Sequence, residues 1–262
     1  MRYYEPMTTP RGSFRDALTR RILVLDGAMG TMIQAADLDA ADFGGAALEG
    51  CNEHLNLTRP DVIRGIHAAY LEAGADLIST NTFGCAPYVL AEYGLAERAY
   101  EITRAAARLA REAVPAGRFV IGAMGPSTRS ISVTRNVTFD EVLRAYEVQA
   151  AALVAGGVDA LLLETTQDTL NVKAAAIGVG RAMREAGVEI GGVDSGDDVG
   201  PREVQVLVAA VERGAAEIGR AEAGGLDHRA HRAVQDEDPA RERIAERGPT
   251  LGHRFIVAHA AV

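Results

Sequence analysis

Residues 23–34 (LVLDGAMGTMIQ) and 121–127 (IGAMGPS) set the same Gly-Ala-Met-Gly turn behind an apolar run, twice in one chain. Two further runs, ADLISTNTFG at 75–84 and VDALLLETTQDT at 158–169, are β-branched or leucine-rich and also end in small and polar residues. In parallel α/β proteins the carboxyl ends of strands are where ligands bind. The residues so placed are Asp26 and Gly27, then Thr80, Asn81, Thr82 and Phe83, then Gly125, Pro126 and Ser127, and finally Glu164. Two other groups have reactive side chains. Cys51 and Cys85 are the only cysteines, and they read as buried free thiols. His228 and His231 sit three apart and could share a metal if helical, but no third partner is indicated, and a solvated charged face is the reading.

The elements that must position these residues follow from periodicity. Strands read at 22–25, 76–80, 119–123 and 160–164, with 188–190 starting a fifth. Helices read over 14–20, from Thr58-Arg-Pro-Asp61 to Gly74, over 95–113, from the capping box at Thr138 and Glu141 to Gly156-Gly157, and over 170–186. Thr58 is placed to cap the second of these, whose apolar face reads as Val62, Ile66, Ala69, Tyr70 and Ala73. Val142, Tyr146 and Leu153 face inward on the fourth, and 35–57 is loop-rich. The strands recur about every 40 residues, one βα unit, so eight units would take roughly 300 residues. The chain offers four units and the start of a fifth. The expected fold is therefore α/β, a partial (β/α)8 barrel spanning 21–190, behind a lead-in at 1–20.

Beyond Ile190 the character changes. Residues 191–262 read as a divergent, irregular tail. Within it, 203–218 is predicted to form one helix through Val204, Leu207, Val208 and Val211. The stretch 220–254 is crowded with Arg, Glu, Asp and His, and reads as disordered or loosely helical.

Composition narrows the function classes. Of 262 residues 48% are hydrophobic, enough for a core, and the net charge of −9 argues against non-specific nucleic-acid binding. No run of 18 apolar residues marks a membrane span, and the N-terminus lacks the apolar stretch of a secretory signal, so a cytoplasmic location is expected. Lys173 is the single lysine in a chain rich in Ala, Gly and Arg, which suggests a GC-rich gene.

The motifs LDGAMGTMIQ, CNEHLNLTRPDVIRGIHAAYLEAGADLISTNTFG, GAMGPSTRSIS and LLLETTQDTLNVKAA, in this order, resemble the homocysteine S-methyltransferase family. More closely, they resemble the homocysteine-binding module of cobalamin-dependent methionine synthases. The resemblance covers about two thirds of the chain and implies a (β/α)8 barrel that binds homocysteine at the strand ends for methyl transfer to its sulfur. Asp26-Gly27 would hold the carboxylate through backbone amides, and Glu164 would pair with the ammonium. Thr80, Asn81, Thr82 and Phe83 would form the second-strand loop, and Gly125, Pro126 and Ser127 the third. These roles suit a zwitterion, which needs donors for its carboxylate and an acceptor for its ammonium.

The resemblance also implies zinc, held by one cysteine after the sixth strand and an adjacent pair after the eighth. Zinc ionises a thiol that is otherwise only a few per cent thiolate at neutral pH. No cysteine follows Cys85, so no metal ligand or catalytic residue is assigned here. Cobalamin and methyltetrahydrofolate are implied only through modules on other segments or chains. Two readings stand: a methyltransferase module that lacks its zinc ligands, and a non-catalytic half-barrel with at most weak amino-acid binding. The break at Gly191, in a GC-rich gene, suggests a frameshift or truncation near that codon. A half-barrel should also expose the flanks of its first strand and of its fourth or fifth, predicting aggregation or dimerisation.

Overall fold

A computed structural model describes residues 14–190 and 203–210. The elements in chain order are α1 (Phe14–Arg20), α2 (Met29–Gln34), α3 (Leu55–Thr58), α4 (Pro60–Glu72), β1 (Leu77–Ser79), α5 (Pro87–Leu90), α6 (Ala99–Ala113), β2 (Phe119–Met124), α7 (Phe139–Gly156), β3 (Ala160–Thr166), α8 (Thr169–Glu185), β4 (Glu189–Ile190) and β5 (Glu203–Ala210). The strands pair in parallel in the order β1-β2-β3-β5-β4.

Alternation along each strand divides the core in two. Ile78, Val120, Met124, Leu161 and Leu163 pack under the long helices, against Ile63, Tyr146, Leu153 and Val179. Leu77, Phe119, Ile121 and Ala160 point the other way and meet Phe14, Leu23, Ala17 and Leu18. Thus α1 covers this second face, with the Phe14 and Phe119 rings edge to face at 5.1 Å. Strands buried on both faces read as continuous apolar runs, as FVIGAM and ALLL do.

Close helix approach depends on two glycines. A Cβ on Gly178 of α8 would lie 2.3 Å from the Leu143 carbonyl of α7, and one on Gly156 of α7 would lie 2.3 Å from Ala107 Cβ of α6. The capping box at Thr138 and Glu141 forms as read, starting α7. Its side-chain bonds satisfy amides that no helical carbonyl reaches, an effect of about 1 kcal/mol.

Four expectations are corrected. First, 203–210 is strand, not helix: β5 runs beside β3 with Ala160 opposite Gln205 and Leu161 opposite Val206. Its β-branched Val204, Val206 and Val208 are stiff in helices and favour strands. The tail is therefore not irregular throughout, and β3 is no open edge.

Second, Thr58 does not cap α4. Its hydroxyl donates to the His54 carbonyl four residues back, closing α3, and Arg59 stands at the α4 N-cap without a side-chain capping bond, its guanidinium going to Asp42 and Asp61.

Third, the buried face of α4 is Ile63, Ile66, His67 and Tyr70, while Ala73 is exposed.

Fourth, the expected strand at 22–25 reduces to a bridge from Leu25 to Leu77, because the Asp76 carboxylate takes the Val24 N–H at 3.0 Å in place of a ladder partner. The expectations for 1–13, 191–202 and 211–262, including the charged 220–254 stretch and His228 and His231, lie outside the described residues.

Candidate functional site

The strand ends bring the expected residues to one end of the sheet, but their side chains do different things. Asp26 follows the bridge at Leu25 and is buried. Its own amide donates to the Leu77 carbonyl at 3.0 Å, so of the Asp26-Gly27 pair only Gly27 keeps an amide without a partner among the described residues. Both carboxyl oxygens accept the Ser79 N–H, at 3.0 and 2.9 Å. Burial pushes this carboxyl up to about 7 despite that donor, and the nearby Glu164 charge adds to the rise. Burial also raises Glu164, and it raises Tyr70, with the Asp26 charge adding to the Tyr70 rise. Burial thus raises both the Asp26 and the Glu164 carboxyl, and a neighbouring cation would favour their charged forms.

Glu164 is half-buried and sits in a distorted stretch of β3. The β3–β5 register shifts between Leu163 and Thr166, and Thr165 adopts φ +57, where a β-branched residue is strained. Bulges of this kind re-aim the side chains beside them.

The loop after β1 is held by its own polar groups. Thr82 donates to the Ala123 carbonyl at 2.6 Å, which makes Thr80 the donor in the 2.6 Å bond between the two hydroxyls. The Ala123 N–H closes the set on the Thr80 hydroxyl at 3.1 Å. Asn81 is likewise engaged, giving its amide to Asn52 and Asn56 while its carbonyl receives the Asn56 amide. Thr80, Asn81 and Thr82 are buried, and their side chains shape the loop from within. Phe83 alone of the four is exposed at this end.

Gly125 meets Phe83 closely. Its N–H donates to the Phe83 carbonyl at 3.1 Å, and a Cβ there would lie 2.6 Å from that oxygen. Behind it, the Tyr146 hydroxyl donates to the Gly125 carbonyl at 2.7 Å. Pro126 and Ser127 are half-buried, and the Ser127 hydroxyl accepts the Arg129 N–H.

Several participants were not singled out from sequence. Gln149 of α7 donates to the Thr82 carbonyl at 2.7 Å, and Glu53 accepts the Gly84 N–H at 2.8 Å. Gln149 was detectable as a polar residue at helical spacing between Tyr146 and Leu153 on an apolar face.

The sequence profile of the homocysteine S-methyltransferase family matches residues 23–192. The chain belongs to this family. It is 45% identical over 181 residues to methionine synthase of Mycobacterium tuberculosis (strain ATCC 25618 / H37Rv), and 44% identical over 181 residues to that of Mycobacterium leprae (strain TN). Each match covers 67% of this chain but 15% of the relative.

The homocysteine methyltransferase MmuM from Escherichia coli has a similar fold. Its oxidized form gives a TM-score of 0.54 at 24% identity over 64% of this chain and 61% of that one. Its metallated form gives 0.53 at 23% over 66% and 62%.

The family's zinc chemistry does not fit the residues present. The chain's two cysteines lie in an apolar cluster with Leu90, Leu95 and Ile102. Burial pushes the Cys51 thiol up to about 11 and Cys85 well above the usual thiol range. Both thiols thus stay protonated, whereas metal binding needs thiolate. Among the described residues no three His, Cys, Asp or Glu side chains group to hold a metal.

Proposed function

We propose that this chain is the homocysteine-binding part of a homocysteine S-methyltransferase, and that it seats the amino-acid end of homocysteine without supplying the ligands that would activate the sulfur. Glu164 receives the ammonium, with the buried Asp26 carboxyl behind it, and the Gly27 amide faces the substrate carboxylate. Phe83, Pro126 and Ser127 form the neighbouring walls. The observation that carries this reading is the Asp26–Glu164 pair, two carboxyls raised by burial at the ends of strands where the family profile matches. A partly dry acidic site becomes favourable once an ammonium occupies it.

Methyl transfer to the homocysteine sulfur is the activity this family membership supports for an intact homologue. Cobalamin- and methyltetrahydrofolate-binding modules would belong to other segments or chains. Within the present chain the family match stops at 192, in line with a reading frame that leaves that of the family near residue 191, although 203–210 still adds a parallel strand to the sheet. The reading of a half-barrel without catalysis is favoured by the burial of both cysteines.

Calorimetric titration of the 262-residue chain with L-homocysteine tests the binding. Saturable one-to-one binding, weakened about tenfold or more by Glu164→Gln, is expected from loss of a charge-assisted bond. No heat of binding at millimolar ligand overturns the proposal.

A further inference from the structure

Two loops of the candidate site are tied together by a pair of side chains that binding itself does not require. After β3 the chain runs through Glu164 and the strained Thr165 to Asp168, the N-cap of α8. One Asp168 oxygen accepts the Leu170 N–H at 2.9 Å, an ordinary helix cap. The other reaches across to the loop after β2, accepting the Ser130 hydroxyl at 2.5 Å and the Ser132 N–H at 2.8 Å. One turn into α8, Asn171 accepts the Ile131 N–H at 3.1 Å and donates to the Arg129 carbonyl at 2.7 Å.

Four bonds therefore join 129–132 to the start of α8, and both side chains are buried. Although burial opposes its charge, hydrogen bonds from Ser130, Ser132 and Leu170 hold the Asp168 carboxyl well below the usual carboxylate range. The clasped loop begins at Gly125-Pro126-Ser127, and Ser127 is itself bonded to Arg129. The segment that clasps it begins at Glu164. The wall residues and the ammonium acceptor are thus fixed relative to each other by one Asp-x-x-Asn step.

We infer that Asp168 and Asn171 are positioning residues for amino-acid binding. They set the spacing between Glu164 and the 125–127 loop, and neither touches the ligand. This rests on the homocysteine reading above. Sites held by second-layer bonds lose one to two orders of magnitude when a wall moves by about 1 Å.

The test uses three variants of the full chain. Asn171→Ala removes both of its bonds. Asp168→Ser keeps a hydroxyl able to cap α8 but withdraws the carboxylate from the loop. Thr138→Ala removes the α7 capping box, at the far end of the loop after β2, which costs stability without removing any bond of the clasp. Homocysteine Kd, melting temperature and hydrogen exchange at Ile131 and Ser132 are measured for each.

The expected result is faster exchange at those two amides and a Kd raised about tenfold to a hundredfold in Asn171→Ala and Asp168→Ser. Thr138→Ala should lower the melting temperature and leave Kd unchanged. Homocysteine binding that survives in both clasp variants with its original Kd overturns this inference alone. Kd loss in Thr138→Ala as large as in the clasp variants overturns it too, since general destabilisation would then be the cause. No binding by the unmodified chain overturns the homocysteine reading and this inference with it.

Discussion

At Asp26 the fold keeps a carboxyl group dry, and the cost varies with pH. With the native group raised to about 7 from 3.8, the folded chain holds a proton between those values that the unfolded chain lacks. Stability from this source is fully present below pH 4 and is lost as pH rises through about 7, by up to roughly 4 kcal/mol. The melting temperature of Asp26→Asn should accordingly gain on that of the unmodified chain between pH 5 and pH 8; a gap that stays constant would refute this. His67 of α4 works in the opposite sense. It is fully buried, neither ring nitrogen has a hydrogen-bond partner among the described residues, and burial lowers it to about 4. Here the unfolded state takes up the extra proton, so stability is present above pH 6.5 and lost as pH falls toward 4. Replacing an unsatisfied buried ring with an apolar side chain of similar size, His67→Leu, should raise stability at pH 7 by about 1–3 kcal/mol and extend it further into acid. Urea titrations at pH 7 and pH 5 measure both effects.

The helices α6, α7 and α8 pack as closely as their glycines allow. Gly178→Ala sets a methyl against the Leu143 carbonyl and should destabilise by about 1–3 kcal/mol, visible as a lower denaturation midpoint at unchanged slope. A neutral or stabilising result would mean α7 and α8 can part without loss. The long elements were legible in the sequence because their signals are local: the Thr138–Glu141 box, the Tyr146 and Leu153 spacing, and the Ala160–Leu163 run each lie within one element. The positions of Asp26 and Glu164 were legible for the same reason, as polar residues closing apolar runs, although Leu25 makes only a bridge and β3 runs on to Thr166. The Asn56–Asn81, Gln149–Thr82 and Asp168–Ser132 contacts were not, since their partners lie 25, 67 and 36 residues away and pairing at that range leaves no periodic trace. Likewise β5 was misread because its character comes from the neighbour it joins: Gln205 to Val208 pair in register with Ala160 to Leu163, a partner more than 40 residues away in sequence.

At the scale of the whole molecule, β5 lies between two strands that precede it in sequence. It gives β3 a partner, while the two-residue β4 pairs on its other side with Glu203 and Val204. Val206→Pro removes a ladder N–H opposite Leu161 and should cost about 3 kcal/mol or more, with dimers or larger species in light scattering. A monodisperse variant with unchanged melting would show that β5 contributes little to the sheet. Resequencing the gene tests the proposed frame change. Translation past codon 190 in another frame should restore cysteines downstream, whereas a confirmed present frame leaves the chain with two. The interleaved order has one more consequence, for the chain as it is made. A strand that borders only earlier strands can settle as soon as it leaves the ribosome, but β3 must wait for residues 203–210. At roughly 5–20 residues per second its backbone stays open on that side for several seconds. That interval is an opening for chaperones, and the yield of folded chain should depend more on their supply than on any single contact in the finished sheet.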